Sequence, residues 1–468
     1  MLLTRTILAK KQRTTKDLPN QNVDEATLNE YVRKLRRMLQ CKTIFNMHDY
    51  DDTEFAKFRN VLKEEFPQIN EKCTLQIFGT GCIVYKFEGK NPNKNIMLMS
   101  HHDVVDVSSN WKYDPFGAEI HDGKIYARGS IDTKTPLFAE MQALEELISE
   151  GYEFPCNVYI ASSNNEELCG DGIVKAVKYF EENGIYFDFV IDEGGAIIEG
   201  MMPGVKGYSA MVAVHEKGRH TFKLTAKKDV GKDGGHSGLT CKSDNPIVRM
   251  SKFISEVDNM KFDVKLYDEV RATFIKSAPY MSFPFRYLFY NIDFFKGLLL
   301  KIMPKFSPTV SAMLGNSVSI TNVNGNGIYD MVQAKEVTAT AFFRCIREED
   351  LYKEVEQFTE IASKYGITVE ADIKDFCEPA SYENDKYKLI EKTVSEVFPS
   401  VNVAPFLLTA GSDARRFTTV SKNIYRFAPL VVTGEQFKTI HQDNENISVN
   451  NVGEMVCFYK KLLKSYEV

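Results

Sequence analysis

Histidine and carboxylate residues recur after short apolar runs in this chain. His101 and Asp103 follow NIMLMS, Asp132 closes GKIYARGSID, Glu166 and Glu167 follow NVYIASSNN, and Asp192 ends FDFVID. A seventh group, His441, stands far downstream in FKTIHQDNENIS. Strand-like runs that end in such groups can gather them at the carboxyl ends of an α/β sheet, where ligands and active sites collect. Two imidazoles with several carboxylates suit a borderline cation such as zinc, and one carboxylate can bridge two metals. The chemistry this pattern supports is two-metal hydrolysis.

Side chains of an extended segment alternate faces, so His101 and Asp103 share one side and His102 takes the other. Asp103 is then placed to hold the second ring nitrogen of His101 and fix its tautomer. Asp132 precedes a helix, where an aspartate alone would read as an N-cap. The adjacent acids Glu166 and Glu167 divide labour in the functional reading: one carboxylate binds metal, and its neighbour takes a proton from water held there. In Asp192-Glu193-Gly194-Gly195 either acid can be the ligand, and the place of Asp192 directly at the strand end favours it.

The elements that must position these groups follow from periodicity. Apolar spacing at Leu28, Val32, Leu35 and Leu39 predicts a helix from Asp24 to Leu39, and a second runs from Thr53 to Glu65. Strands then alternate with helices as far as FDFVIDEGG, which predicts a layered α/β domain with a mostly parallel sheet. From Ala213 the order becomes strand, helix, a long aromatic insertion, two strands, helix and strand, the β-α-β-β-α-β of a ferredoxin-like unit. The expected division is a catalytic domain in two parts, 1–208 and 379–468, and an inserted α+β domain over 209–378 serving as lid and dimerisation surface.

At 468 residues the chain exceeds one usual core, given roughly 150 residues per domain. A net charge of -6 and the lack of a clustered basic face argue against nucleic acid as partner. Nine cysteines standing singly suit reduced thiols, and the first twenty residues hold no signal-peptide core, so a cytoplasmic location is expected. The most lipid-like stretch, Tyr287 to Met303, is interrupted by Asp293 and Lys296 and falls short of a membrane span; it can lie on an apolar surface.

Together, H-x-D, R-G-x-x-D, E-E, D-E-G-G and a late H-x-x-x-E, with VHEKG, GGHSG, AGSDARRFTTVSKNIYRFAPL and IHQDNENISVNN, resemble the carboxypeptidase-S and aminoacylase family of two-zinc hydrolases. The insertion before SVSITNV and the IYRFAPL segment most resemble its carboxypeptidase-S-like branch. The resemblance implies two Zn2+ per chain, replaceable by Co2+ or Mn2+, with His101 and Asp192 on one, Glu167 and His441 on the other, and Asp132 bridging both. It implies Glu166 as general base acting on a metal-bridged water, Asp103 as the group orienting His101, and a cis peptide between Asp132 and Thr133. The substrate it implies is a small peptide or N-acyl amino acid, cut next to a free carboxylate as by a carboxypeptidase, dipeptidase or amidohydrolase. His236 in GGHSG is implied to help bind substrate, often from the partner in a homodimer. Arg415 in GSDAR is a candidate for the substrate carboxylate, which a guanidinium fork matches. Asp330-Met331-Val332-Gln333 and the long spacer GKDGGHSG depart from the family pattern and bear on the lid.

Two other readings compete. One is a catalytically inactive, metal-stabilised binding protein of the same fold, for which Glu166 would have no use. The other is a thiol hydrolase built on Cys169 or Cys241, and no sequence feature sets a histidine beside either.

Overall fold

The structure, a computed structural model, describes residues 23–228, 244–305, 308–325, 331–373, 376–399 and 401–467. His236, Cys241 and Asp330 lie outside the described residues. Asp24 accepts from the Thr27 main-chain N–H at 3.0 Å, an N-cap that opens α1 (Glu25–Leu39), and α2 (Thr53–Glu65) follows. Both occupy the spans that apolar spacing predicts. Next come β1 (Thr74–Phe78), β2 (Cys82–Phe87), β3 (Asn91–Met99), the hairpin β4 (Glu119–His121) and β5 (Lys124–Tyr126), and α3 (Lys134–Ser149). The run continues with β6 (Cys156–Ser162), α4 (Gly172–Glu182), β7 (Phe189–Asp192), β8 (Ile197–Glu199) and β9 (Tyr208–Glu216).

The segment read as one strand from Ala213 is two elements. β9 belongs to the large sheet, and after Lys217 the chain starts β10 (Gly218–Lys227) in a different one. A boundary at 209 would cut β9 from its neighbours β8, β14 and β15, so the crossing lies at Lys217. Beyond it come α5 (Pro246–Asp258), four helices α6 (Asp268–Ser277), α7 (Phe285–Tyr290), α8 (Ile292–Ile302) and α9 (Pro308–Leu314), then β11 (Ser317–Gly325), β12 (Glu336–Cys345), α10 (Glu348–Lys364) and β13 (Ile367–Asp372). The antiparallel sheet β11-β12-β10-β13, with α5 and α10 in its apolar cluster, has the predicted β-α-β-β-α-β order. Helices α6 to α9 leave that unit. Their apolar side chains pack with Met211, Ala213 and Phe406 of the large sheet.

The return path supplies α11 (Asp385–Val397), β14 (Asn402–Leu408), β15 (Ile424–Arg426), β16 (Val431–Val432), β17 (Asn446–Ser448) and α12 (Val449–Ser465). The large sheet is mixed and mostly parallel, in the order β1-β2-β6-β3-β7-β15-β9-β8-β16, with β14 parallel to β9. Its centre, β6-β3-β7-β15, is parallel throughout. Alternation explains why these strands read as continuous apolar runs: Leu98, Ile160 and Ile191 enter the layer of α3 and α12, while Met97, Tyr159 and Val190 enter that of α4.

Both crossings between the sheets meet at one polar cluster. His215, at the end of β9, faces Glu269 of α6 at 3.0 Å and the Cys377 carbonyl at 3.0 Å. Arg347 Nη2 donates to both Glu269 oxygens at 3.0 Å, and its Nη1 lies 2.8 Å from the imidazole. Replacing Glu269 with Ala leaves this guanidinium and ring over a buried gap. The expected loss is about 3 kcal/mol in urea unfolding, as for removal of one partner of a buried ion pair. Removing Asp263, whose 2.7 Å pair with Lys353 is exposed, is expected to cost under about 1 kcal/mol; equal effects would contradict the latch.

Candidate metal and catalytic site

Three neighbouring parallel strands end together and deliver the first groups. Leu98 of β3 is in register with Ile160 of β6 and Ile191 of β7, so His101, the Glu166-Glu167 turn and the Asp192-Glu193 pair leave the sheet side by side. Beyond β3, His102 turns away: it stacks on Phe58 at 4.9 Å, and its Nδ1 contacts Ser162 Oγ at 2.9 Å. His101 turns inward, as alternation requires. Its Nδ1 lies 2.9 Å from the Asp103 carbonyl and 3.3 Å from the Asp103 carboxylate, and its Nε2 lies 3.0 Å from Asp132 Oδ1. The Asp103 carboxylate also accepts from the Glu166 and Glu167 main-chain N–H groups, both at 3.1 Å, and so joins the two strand ends.

Asp132 is central. Its second oxygen lies 3.0 Å from His441 Nε2, which also faces Glu167 at 3.1 Å. The loop carrying Asp132 is held by Glu445, a fully buried carboxylate that accepts from the N–H groups of Gly129 (3.2 Å), Ile131 (2.6 Å) and Asp132 (3.1 Å) and from Arg128 Nη1 (2.9 Å). His441 and Glu445 therefore act on the same aspartate from one short segment. The Asp132–Thr133 peptide is cis.

Asp192 and Glu193 differ from the expected division. Both Asp192 oxygens accept main-chain N–H groups, from Glu193 and Ala414 at 2.9 Å each. Asp192 is not among the residues that line the central cavity. Glu193 is, because one step along an extended chain changes the face. The backbone also approaches closely here: a Cβ on Gly195 would lie 2.1 Å from the Met211 carbonyl.

The cavity, about 690 Å³, is lined by His101, Asp132, Glu166, Glu167, Glu193 and His441 at one end. Much of the rest is apolar, including Ile198, Met211, Phe406, Leu408 and Leu430, with Thr309 supplied by α9. Arg219 of β10 and Arg344 of β12, paired in register, reach the cavity from the small sheet. Arg219 Nη2 donates to Glu166 Oε1 at 3.2 Å, while Arg344 Nη1 is buried with no hydrogen-bond partner among the described residues. Neither stands out in the sequence, where each is one arginine in an alternating strand. Arg415 has a different place: it is buried behind Gly411, 3.6 Å from Glu216, and does not line the cavity. Glu216 also accepts from Arg426 Nε at 2.8 Å and Ser412 N at 3.1 Å, so Arg415 belongs to an internal ion cluster. Cys169 borders the cavity with no histidine hydrogen-bonded to it among the described residues.

The electrostatics follow from crowding. Burial, then Asp413, pushes Glu166 up to about 8 and Asp192 up to about 7; burial, then Asp192, puts Glu193 well above the usual carboxylate range. Asp132 and Glu167 push His441 up to about 10. Burial opposes charge on His101, yet Asp103 and Asp132 hold it well above an ordinary histidine. Ligand atoms of His101, Asp132 and Glu167 lie within 4.8 Å of one another, a spacing and an N/O donor set that fit a divalent cation.

Comparison with known proteins gives the chain's relatives. The chain is 28% identical over 484 residues to the probable carboxypeptidase S-like 2 of Dictyostelium discoideum, covering 100% of this chain and 92% of that one. It is 29% identical over 442 residues to the N-fatty-acyl-amino acid synthase/hydrolase PM20D1.1 of Danio rerio, covering 92% and 84%. Its fold is similar to that of the M20 family metallo-carboxypeptidase Sso-CP2 from Sulfolobus solfataricus, with a TM-score of 0.69 at 20% identity over 94% of this chain and 99% of that one. The model of peptidase family M20/M25/M40 matches residues 97–465, from the strand that delivers His101 to the helix beyond His441, and the chain belongs to that family.

Proposed function

We propose that this chain is a metal-dependent amide hydrolase whose preferred substrate is an N-acyl amino acid with an apolar acyl group. Small peptides with a free C-terminal carboxylate form its second substrate class. One observation carries the reading: a single cavity joins the acid–imidazole cluster, two arginines and an extended apolar wall. The names of the carboxypeptidase S-like and N-fatty-acyl-amino acid relatives support it.

Two zinc ions are the proposed cofactor, with His101 and Glu193 on one, Glu167 and His441 on the other, and Asp132 shared. Glu193 replaces Asp192 because it is the acid of that pair on the cavity wall. The chemistry such a pair supplies when bound is polarisation of the scissile carbonyl and acidification of water. Glu166, beside the proposed ligands and held by Arg219, takes the proton of the attacking water and hands it to the leaving nitrogen. Arg219 holds one Glu166 oxygen and leaves the other for this transfer. Arg344, pushed down to about 10 by burial and then by Arg219, sits in a local excess of positive charge that a substrate carboxylate relieves. The apolar wall takes the acyl chain and excludes water.

Three outcomes test this. Glu166→Gln is expected to lower kcat by roughly 10²–10⁴-fold with metal content intact, whereas Glu193→Gln is expected to lower metal content in elemental analysis. If Asp192→Asn empties the site and Glu193→Gln does not, the ligand assignment is wrong. Arg344→Ala is expected to lower kcat/KM for an N-acyl amino acid by about 10–100-fold, the worth of a charged hydrogen bond, and to leave the corresponding N-acyl amino acid amide little affected. An equal loss on both substrates would remove Arg344 from carboxylate recognition. Glu445→Gln weakens the cradle of the Asp132 loop without touching substrate, so zinc affinity measured against a chelator is expected to fall about 10–100-fold.

A further inference from the structure

The insertion α6–α9 carries apolar residues that its own packing does not use. In α8, Ile292 and Leu299 are buried in the cluster shared with β9 and β14, with Phe295 and Ile302 against it. The opposite face holds Phe294 and Leu298, 69% and 53% exposed, followed one turn on by the exposed Lys301. Positions 294, 298 and 301 share one side of a helix. Phe283, 65% exposed just before α7, belongs to the same surface through an aromatic chain: Phe283 to Tyr287 at 6.3 Å, Tyr287 to Phe295 at 5.5 Å, and Phe295 to Phe294 at 4.9 Å. A short helix apolar on both faces, one against the core and one toward solvent, calls for a second apolar phase.

Charge identifies that phase. Between residues 280 and 305 the chain has Arg286, Lys296, Lys301 and Lys305 against the single acid Asp293, within a protein of net charge -6. Asp293 is engaged by Arg271 Nε at 2.6 Å. Lys296, Lys301 and Lys305 are exposed and form no ion pair with another described residue. Exposed phenylalanines beside Lys301, on a segment with an excess of positive charge, suit the headgroup region of a bilayer that carries anionic lipid. The cluster under the patch continues to the cavity: Met211, Phe406 and Leu408 belong to both, and α9 of the same insertion supplies Thr309 to the cavity wall. Among the described residues no helix is long and apolar enough to cross a membrane, so the contact is one of surface docking.

We infer that the face formed by Phe283, Phe294, Leu298 and Lys301 docks this protein on anionic phospholipid membranes, with the insertion as the lipid-facing element beside the cavity. Docking through this face does not depend on which substrate the cavity takes.

The test is flotation of the full chain with vesicles of phosphatidylcholine alone and of phosphatidylcholine with phosphatidylserine. The wild type is expected to float with the mixed vesicles and less with the neutral ones. Joint replacement Phe283→Ser, Phe294→Ser and Leu298→Ser is expected to reduce the bound fraction at least tenfold, with unchanged circular dichroism and melting temperature, since all three side chains lie outside the core. Lys301→Glu with Lys305→Glu is expected to abolish the preference for phosphatidylserine. A wild type that floats with neither vesicle, or a triple serine variant that floats as well as wild type, overturns the proposal. So does a wild type that ignores vesicles but forms a dimer lost in the serine variant, which would assign the patch to a second copy of this chain.

Discussion

Crowded negative charge at the end of the parallel sheet is the constraint from which the surrounding structure follows. Asp103, Glu166, Glu167, Asp192 and Glu193 come within a few residues of three adjacent strand ends, where the loop after β5 brings Asp132 to meet them, buried or half-buried. Carboxylates so placed must be neutralised, hydrogen-bonded or bound to cations. The chain uses each device in a different place. Asp103 and Asp192 are satisfied by main-chain N–H groups, which fixes them in place. Asp132, Glu167 and Glu193 keep oxygens toward the cavity, where the imidazoles of His101 and His441 supply partners to the first two.

A second ring of charge holds the first in place. Glu445 gathers three N–H groups of the Asp132 loop and is balanced by Arg128, so the Asp132 carboxylate is aimed by a residue that does not line the cavity. Glu216, at the end of β9, binds Arg426 and lies beside Arg415 behind Gly411. Two carboxylates from distant parts of the chain thus fix the outer surface of the site. This is the arrangement by which surrounding hydrogen bonds set ligand orientation in metal sites.

Much of this was legible in the residues because strand alternation is simple. The face change between His101 and His102 followed from extended geometry, and the order of strands and helices predicted both sheets. His441 was legible only through resemblance, since its partners lie some 270 to 340 positions upstream and no local pattern announces them. Arg219 and Arg344 were missed because an arginine on the open face of an alternating strand looks like any solvated residue. Their function arises from the register that pairs them and from the cavity they face, and register is a property of two strands. The split at Lys217 was hidden for a related reason: β9 and β10 form one apolar-alternating run, and only the neighbours of each reveal two sheets. For Asp192 and Glu193 the difficulty was one of a single step, where one residue of phase decides which carboxylate meets the cavity.

The cavity's groups come from different surfaces. Strand ends of the large sheet supply His101, Glu166, Glu167 and Glu193, rigid because three parallel strands and their helices are buried on both faces, while Asp132 and His441 come from loops that flank β5 and β17 of a third, three-stranded sheet. The small sheet supplies the arginines, and the His215–Glu269–Arg347 cluster sets how β10 and β12 meet the large sheet. That cluster joins β9, α6 and the turn after β12, so the position of the arginines and the packing of the aromatic insertion are coupled through one buried carboxylate. A disturbance at the insertion therefore reaches Arg344 by way of Arg347, three residues further along the chain, without passing through the acid cluster. Recognition can shift on this scaffold while the hydrolytic groups keep their geometry.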